Sequence, residues 1–373
     1  MRRLVRIWKS RGRSMRSKKL TRRSCLVTFA IASVGWPTAY GQEPAERIAN
    51  NHSSLSGVMP IACRSVQLTP VVSQLYRTVI TAVAADPRGE FVAAAGDDHA
   101  IRILDATTLR KVQTLEAHRD LIRTLQFDSR GEKLVSAGND GQLIVWDREA
   151  GFKILQRMRG TPAIACVRFA PGGDEMAAVG FDRKVYLIGR GTKTNPTLQC
   201  DCSDLRAVAY RDDNEMLAVA GRSGNLHLYN PENGKLLGEH PIHRGRVHAL
   251  AFQRDSNLLI SVAADGAVVV FDTKQQQMLR QIPVTSGKLF SVAILDSRQI
   301  AVAGSDNVIR VIDVDAKQIT RKLTGHHGSV PTLSANGSTL FSGGFDATLR
   351  RWSLTDVHDQ ERIAEGDPQV DRQ

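Results

Sequence analysis

Residues 136–147 read SAGNDGQLIVWD. Small residues lead into Asn139-Asp140-Gly141, and Asp-Gly is among the strongest short signals for a tight β-hairpin. Leu143–Trp146 follows as an apolar run of strand length, and Lys133–Ala137 supplies the strand before the turn. Further out, Leu121–Phe127 forms another strand that ends at the turn Asp128-Ser129-Arg130-Gly131. Lys153–Gln156 returns as a fourth, outer strand. The expected unit is therefore four short antiparallel strands, with apolar and polar residues alternating in several of them.

The same pattern recurs along the chain as AAGDDHAIRILD, AVGFDRKVYLIG, VAGRSGNLHLYN, SVAADGAVVVFD, VAGSDNVIRVID and SGGFDATLRRWS. The turn residues are Asp98, Asp140, Asp182, Ser223, Asp265, Asp306 and Asp346, separated by 40 to 42 residues. Six and seven positions later stand Leu104-Asp105, Trp146-Asp147, Ile188-Gly189, Tyr229-Asn230, Phe271-Asp272, Ile312-Asp313 and Trp352-Ser353. A sheet of this size cannot bury both faces alone. Stacking the units radially solves that, and closing the ring removes most exposed sheet edges. No helical period of useful length occurs in residues 80–355.

The spacing and the Trp-Asp ending resemble the WD40-repeat β-propeller family over residues from about 64 to 355. The resemblance implies an all-β fold, a seven-bladed β-propeller of four-stranded antiparallel blades. It also implies a structural tetrad in some blades: a His before the first strand, a Ser on the second, the turn Asp and a Trp on the third. The second unit has His118, Ser136, Asp140 and Trp146, and the seventh has His326, Ser342, Asp346 and Trp352. The fifth has His243, Ser261 and Asp265, with Phe271 in place of Trp. The first, third, fourth and sixth units lack most of the tetrad, so these blades are expected to be less rigid.

Closure needs one more strand, because the seventh unit ends at Leu354. Arg64–Ser73 (RSVQLTPVVS) is apolar and β-prone, and is expected to pair beside Leu349–Trp352. Residues 42–63 then read as a flexible linker, and 356–373 as a disordered polar and acidic tail.

Charge is concentrated at the N-terminus. The chain carries +12, but residues 1–41 hold eleven basic residues and no acidic one, and the remainder has 39 basic and 38 acidic residues. A nucleic-acid-binding fold keeps its cations on the folded surface, so no nucleic-acid partner is expected. Arg2–Arg23, the twelve-residue apolar stretch Cys25–Trp36 and Ala39-Tyr40-Gly41 have the layout of a secretory signal cleaved before Gln42. Twelve apolar residues are too few to span a bilayer. Thr21-Arg22-Arg23-Ser24-Cys25-Leu26 also resembles a twin-arginine signal, Met15 offers a second start, and the route stays open. The expected location is periplasmic or extracellular, and the expected state a monomer.

Chemical motifs are sparse. His240–His243 and His326-His327 suggest metal ligands, yet His243 and His326 already have tetrad positions and no Cys or carboxylate cluster accompanies them. Cys200-Asp201-Cys202 lacks a second Cys pair, Cys166 lies in a strand as a buried core residue, and Cys63 completes the set with no disulfide assigned. The repeated turn aspartates argue for architecture rather than catalysis. Neither a phosphate-binding Gly loop nor a nucleophile elbow is present. Asn51-His52-Ser53 and Asn336-Gly337-Ser338 match the glycosylation sequon. No metal, cofactor or catalytic residue is called.

In propellers that this chain resembles, partners meet two sets of positions on one face. The residue before the turn Asp is Asp97, Asn139, Phe181, Arg222, Ala264, Ser305 or Phe345. The second residue of the innermost strand is Thr81, Arg123, Ala165, Arg206, His248, Phe290 or Pro331. Arg123, Arg206, Arg222 and His248 thus accompany Phe181, Phe290 and Phe345, and arginine and aromatics are enriched at binding hot spots. The expected function is a non-catalytic scaffold for a protein or peptide of acidic character. The alternative is an exported propeller enzyme or cofactor-binding protein with a site at the central channel.

Overall fold

The structure is a computed structural model that describes residues 61–68, 78–189, 197–200 and 204–354. The segments read as export signal and tail, most of the linker, Cys202 and the first sequon lie outside the described residues. Among the described residues every regular element is a strand, and the strands form seven four-stranded antiparallel sheets. Six sheets use four consecutive strands. The second blade, for example, runs Ile122–Phe127, Lys133–Gly138, Leu143–Asp147 and Lys153–Met158.

The seventh sheet takes its outer strand from the other end of the chain. Cys63–Gln67 pairs antiparallel with Thr348–Ser353, in a register that sets Val66 opposite Leu349 and Cys63 opposite Trp352. The strand begins one residue inside the stretch read as linker. Leu68 follows it and is buried.

Seven apolar clusters fill the seams between neighbouring blades. Ile101, Ile103, Ile122, Leu134, Ile144 and Trp146 pack blade 1 on blade 2. The closing seam joins Phe341 and Leu349 of blade 7 to Ile80, Val92 and Leu104 of blade 1, with Leu68 among them. Each sheet therefore buries both faces against its neighbours, as continuous runs such as Val268–Phe271 require.

The tetrads are hydrogen-bonded chains. In blade 2, Trp146 Nε1 donates to Ser136 Oγ at 2.9 Å, Ser136 lies 2.8 Å from His118 Nε2, and His118 Nδ1 lies 3.0 Å from Asp140. Blade 7 repeats this with Trp352, Ser342, His326 and Asp346. Blade 5 has the His243–Ser261 and His243–Asp265 links, and buried Phe271 ends the chain without a donor. Burial holds the His118 and His243 rings below the usual imidazole range despite their aspartates. A neutral ring with its proton on Nδ1 satisfies every link: Trp donates to Ser, Ser to His and His to Asp.

Three of the four tetrad-poor blades, expected to be less rigid, tie the turn Asp with other donors. Blades 1 and 6 use an Arg four residues after the turn Asp. Buried Arg102 grips Asp98 with two nitrogens, and Thr78 donates to the same carboxylate at 3.3 Å. Arg310 meets Asp306 at 3.1 and 2.7 Å, with Thr285 donating at 2.7 Å. In blade 3, Tyr186 donates to Asp182 from the same position. A planar guanidinium matches a carboxylate fork, so it can replace the His–Ser chain as a clamp. In blade 4, Ser223 accepts from the N–H of Asn225 in its own turn.

Candidate functional site

Two local features of the backbone build the mouth of the central channel. In six blades the pairing of the innermost strand skips its second residue, between Ile80 and Ala82, Ile122 and Thr124, Ile164 and Cys166, Leu205 and Ala207, Val247 and Ala249, and Leu289 and Ser291. Each skip is a β-bulge, which re-aims the side chain of the extra residue. The bulged residues are Thr81, Arg123, Ala165, Arg206, His248 and Phe290. In blade 7 the strand Thr332–Asn336 pairs without a skip, and Pro331 stands just before it. All seven line one cavity of about 120 Å³.

The second feature places the other set. In six blades the N–H of the residue before the turn residue donates to the carbonyl just ahead of the innermost strand, and in blade 7 to the carbonyl three residues ahead of it. Asn139 bonds Leu121, Phe181 bonds Ala163, Arg222 bonds Asp204 and Phe345 bonds Ser329. Asp97, Ala264 and Ser305 bond Val79, Arg246 and Lys288 in the same way. This approach is close enough to exclude a side chain from the preceding residue in several blades. A Cβ on Gly138 would lie 2.1 Å from the Leu121 carbonyl.

The two sets interact. The guanidinium of Arg206 lies 4.2 Å and that of Arg123 5.1 Å from the centre of the Phe181 ring. Phe181 keeps 38% of its surface exposed. Arg123 Nε donates to Asn139 at 2.5 Å. Burial and the neighbouring Arg206 lower the pKa of the Arg123 guanidinium. His248 meets the Phe290 ring edge to face at 5.2 Å. Burial, reinforced by Arg246, Arg206 and Lys288, pushes His248 down to about 4, so it is neutral near pH 7. The cations of the face are therefore arginines and a lysine, with His248 as a neutral polar wall. Arg222 is exposed, as is Phe345 at 50%, and neither lines the cavity.

Sequence reasoning missed three charged residues at this mouth. Asp204, Arg246 and Lys288 each precede an innermost strand, and that shared position was the available signal. Asp204 lies 2.6 Å from both Arg206 and Arg246. It missed Arg168 as well, which stands deeper in the channel. Arg168 lines the mouth cavity and also a larger cavity of about 780 Å³ whose walls include Tyr210, Asp212 and Arg254.

The remaining candidates have structural surroundings. Cys166 and Cys200 are buried, and Cys63 is exposed. Asn336 donates to the carbonyls of Asp86 and Pro87, which ties its side chain to blade 1. Among the described residues no three of His, Cys, Asp and Glu gather closely enough to hold a metal ion. No helix of the described residues is long and apolar enough to cross a membrane.

A family model described as WD40, "WD domain, G-beta repeat", matches residues 72–105, 109–147, 234–272 and 317–353. Each match ends at the close of a third strand, the first in blade 1 and the other three in the blades that carry a His–Ser–Asp chain. No curated protein matches the chain.

Proposed function

The chain belongs to the WD40-repeat propeller family, whose members serve in general as protein-interaction scaffolds, and on that footing we propose that it captures an acidic protein or peptide at the channel mouth. The observation that carries this reading is the convergence of bulged Arg123 and Arg206 on the exposed ring of Phe181. Arg246 and Lys288 add positive charge, and Phe290 and Phe345 add apolar surface. A rigid face spends little ordering entropy on binding, and the stacked guanidiniums are already held in place.

The role is binding rather than catalysis. The turn carboxylates of six blades are engaged by His, Arg, Tyr or backbone donors that tie each blade together, so they are committed to the frame. The N-terminal layout of a basic region, an apolar stretch and small residues before Gln42 supports export to the periplasm or the cell exterior.

One preparation tests both parts. Protein purified from its native host, with its N-terminal residue read by mass spectrometry, is used as bait beside the Arg123→Glu, Arg206→Glu double variant. The expected start is at Gln42, with the partner lost from the double variant while its melting temperature stays within a few degrees. Full capture by the double variant rules out the mouth as the docking face, and a mature chain that keeps residues 1–41 rules out export by cleavage.

A further inference from the structure

The walls of the mouth cavity are unbalanced in charge and in hydrogen-bonding capacity. Three guanidiniums line it, those of Arg123, Arg168 and Arg206, and no Asp or Glu does. Asp204 is the nearest compensation, set on the rim between Arg206 and Arg246. Arg168 is half-buried, and its Nη1 donates to Thr124 Oγ1 at 3.3 Å and to the Val167 carbonyl at 2.8 Å. Both are neutral acceptors, so its charge meets no carboxylate among the described residues. A partly buried cation with no counter-charge beside it attracts an anion.

The hydroxyls of the same cavity lean in the same direction. Thr124 Oγ1 accepts from the Val167 N–H as well as from Arg168. Ser291 Oγ accepts from the Leu333 N–H at 2.9 Å, and Thr332 Oγ1 from the Val83 N–H at 3.0 Å. All three side chains are more than nine-tenths buried. Each oxygen is used as an acceptor from a neighbouring blade, which leaves its own proton to donate. Guanidinium and hydroxyl donors therefore surround a space of about 120 Å³ that lacks acidic walls. That is room for several waters or one tetrahedral ion.

We propose that this cavity is a binding site for a free tetrahedral oxyanion of the phosphate or sulfate class, held by Arg123, Arg168 and Arg206 with the hydroxyls of Thr124, Ser291 and Thr332. Arg168 is the residue that separates this site from the partner face, because it reaches from the mouth cavity into the larger one and is not among the residues proposed to meet a partner. The ion fills the donor-rich floor, and a partner meets the Phe-bearing rim above it. Each site can be tested without the other.

The test is calorimetric titration of the full chain with sodium phosphate and with sodium sulfate, against sodium chloride at equal ionic strength. Saturable one-to-one binding of phosphate or sulfate is expected, with none for chloride. Arg168→Gln keeps a donor toward Thr124 and removes the charge, and should weaken oxyanion binding at least tenfold. Its melting temperature in chloride should stay equal to or above that of the parent, since an uncompensated cation is gone. An NMR titration of His248 gives a second readout: its midpoint near 4 rises when the anion offsets Arg246, Arg206 and Lys288. Absence of saturable binding, or equal affinity in Arg168→Gln, overturns the proposal. Tighter binding of a phosphoserine peptide than of inorganic phosphate overturns the free-ion assignment in favour of a partner-borne group.

Discussion

A chain shortened to begin at Thr69 melts roughly 10 °C below the full-length protein, as measured by scanning calorimetry. The shortening removes Cys63–Gln67, the whole outer strand of the seventh sheet. It also removes Leu68, whose side chain is buried in the seam between blades 7 and 1. Burying a leucine contributes about 1.5–3 kcal/mol, and each net backbone hydrogen bond about 1 kcal/mol. Together these approach 5 kcal/mol, enough for the stated shift in a domain of this size. The strand Thr348–Ser353 is left as an open edge, and such edges pair with other chains. Concentration-dependent dimers of the shortened chain are therefore expected by light scattering. A synthetic peptide of residues 61–73 added in excess should reverse both effects. An unchanged melting temperature contradicts closure by this strand.

The second large effect is expected at Trp146. Trp146→Ala removes a side chain buried in the seam between blades 1 and 2, together with the donor to Ser136. Large aromatic truncations in cores cost about 3–5 kcal/mol, and urea unfolding should show a loss in that range. Trp146→Phe is expected to cost only about 1 kcal/mol, mainly the hydrogen bond to Ser136. Blade 5 supplies the natural comparison, since Phe271 occupies the same place beneath an intact His243–Ser261 link. If Trp146→Phe costs as much as Trp146→Ala, the fit of the indole rather than burial or bonding dominates, and the account of the tetrad is wrong.

The ring was readable before any coordinates because the hairpin turn and the third strand recur together. A turn that must place Asp140, Asp265 or Asp346 under its own backbone N–H groups tolerates little drift in sequence. The clasp was readable because the last repeat stops at three strands and an apolar stretch of the right character precedes the first. The bulged positions could be named from the resemblance, yet the bulge itself is a matter of pairing between strands, which no single strand records.

Other features were hidden for physical reasons. The clamps of Arg102 and Arg310 sit four residues beyond the turn Asp on the third strand, where alternation alone reads an Arg as solvent-facing. The burial of Arg102 and the partial burial of Arg310 follow only once the turn folds the carboxylate back over the strand. His248 reads as a cation in sequence, but its neighbours Arg206 and Lys288 come from blades 4 and 6. Arg168 lies near the end of its strand and enters the channel only because the innermost strands converge. The ring of Phe181 reads as a bare apolar anchor until Arg123 and Arg206 are seen over it.

The claim on which the functional account turns is that partners dock at the channel mouth and not on the blade rims. A photo-reactive amino acid at Ala165, on the wall of the mouth cavity, is compared with one at Met278, exposed on the outer strand Gln277–Pro283. Irradiation with native extract should cross-link the partner from position 165, and excess unlabelled protein should compete it away, while position 278 yields no competed product. Equal or stronger competed cross-linking from position 278 contradicts the account.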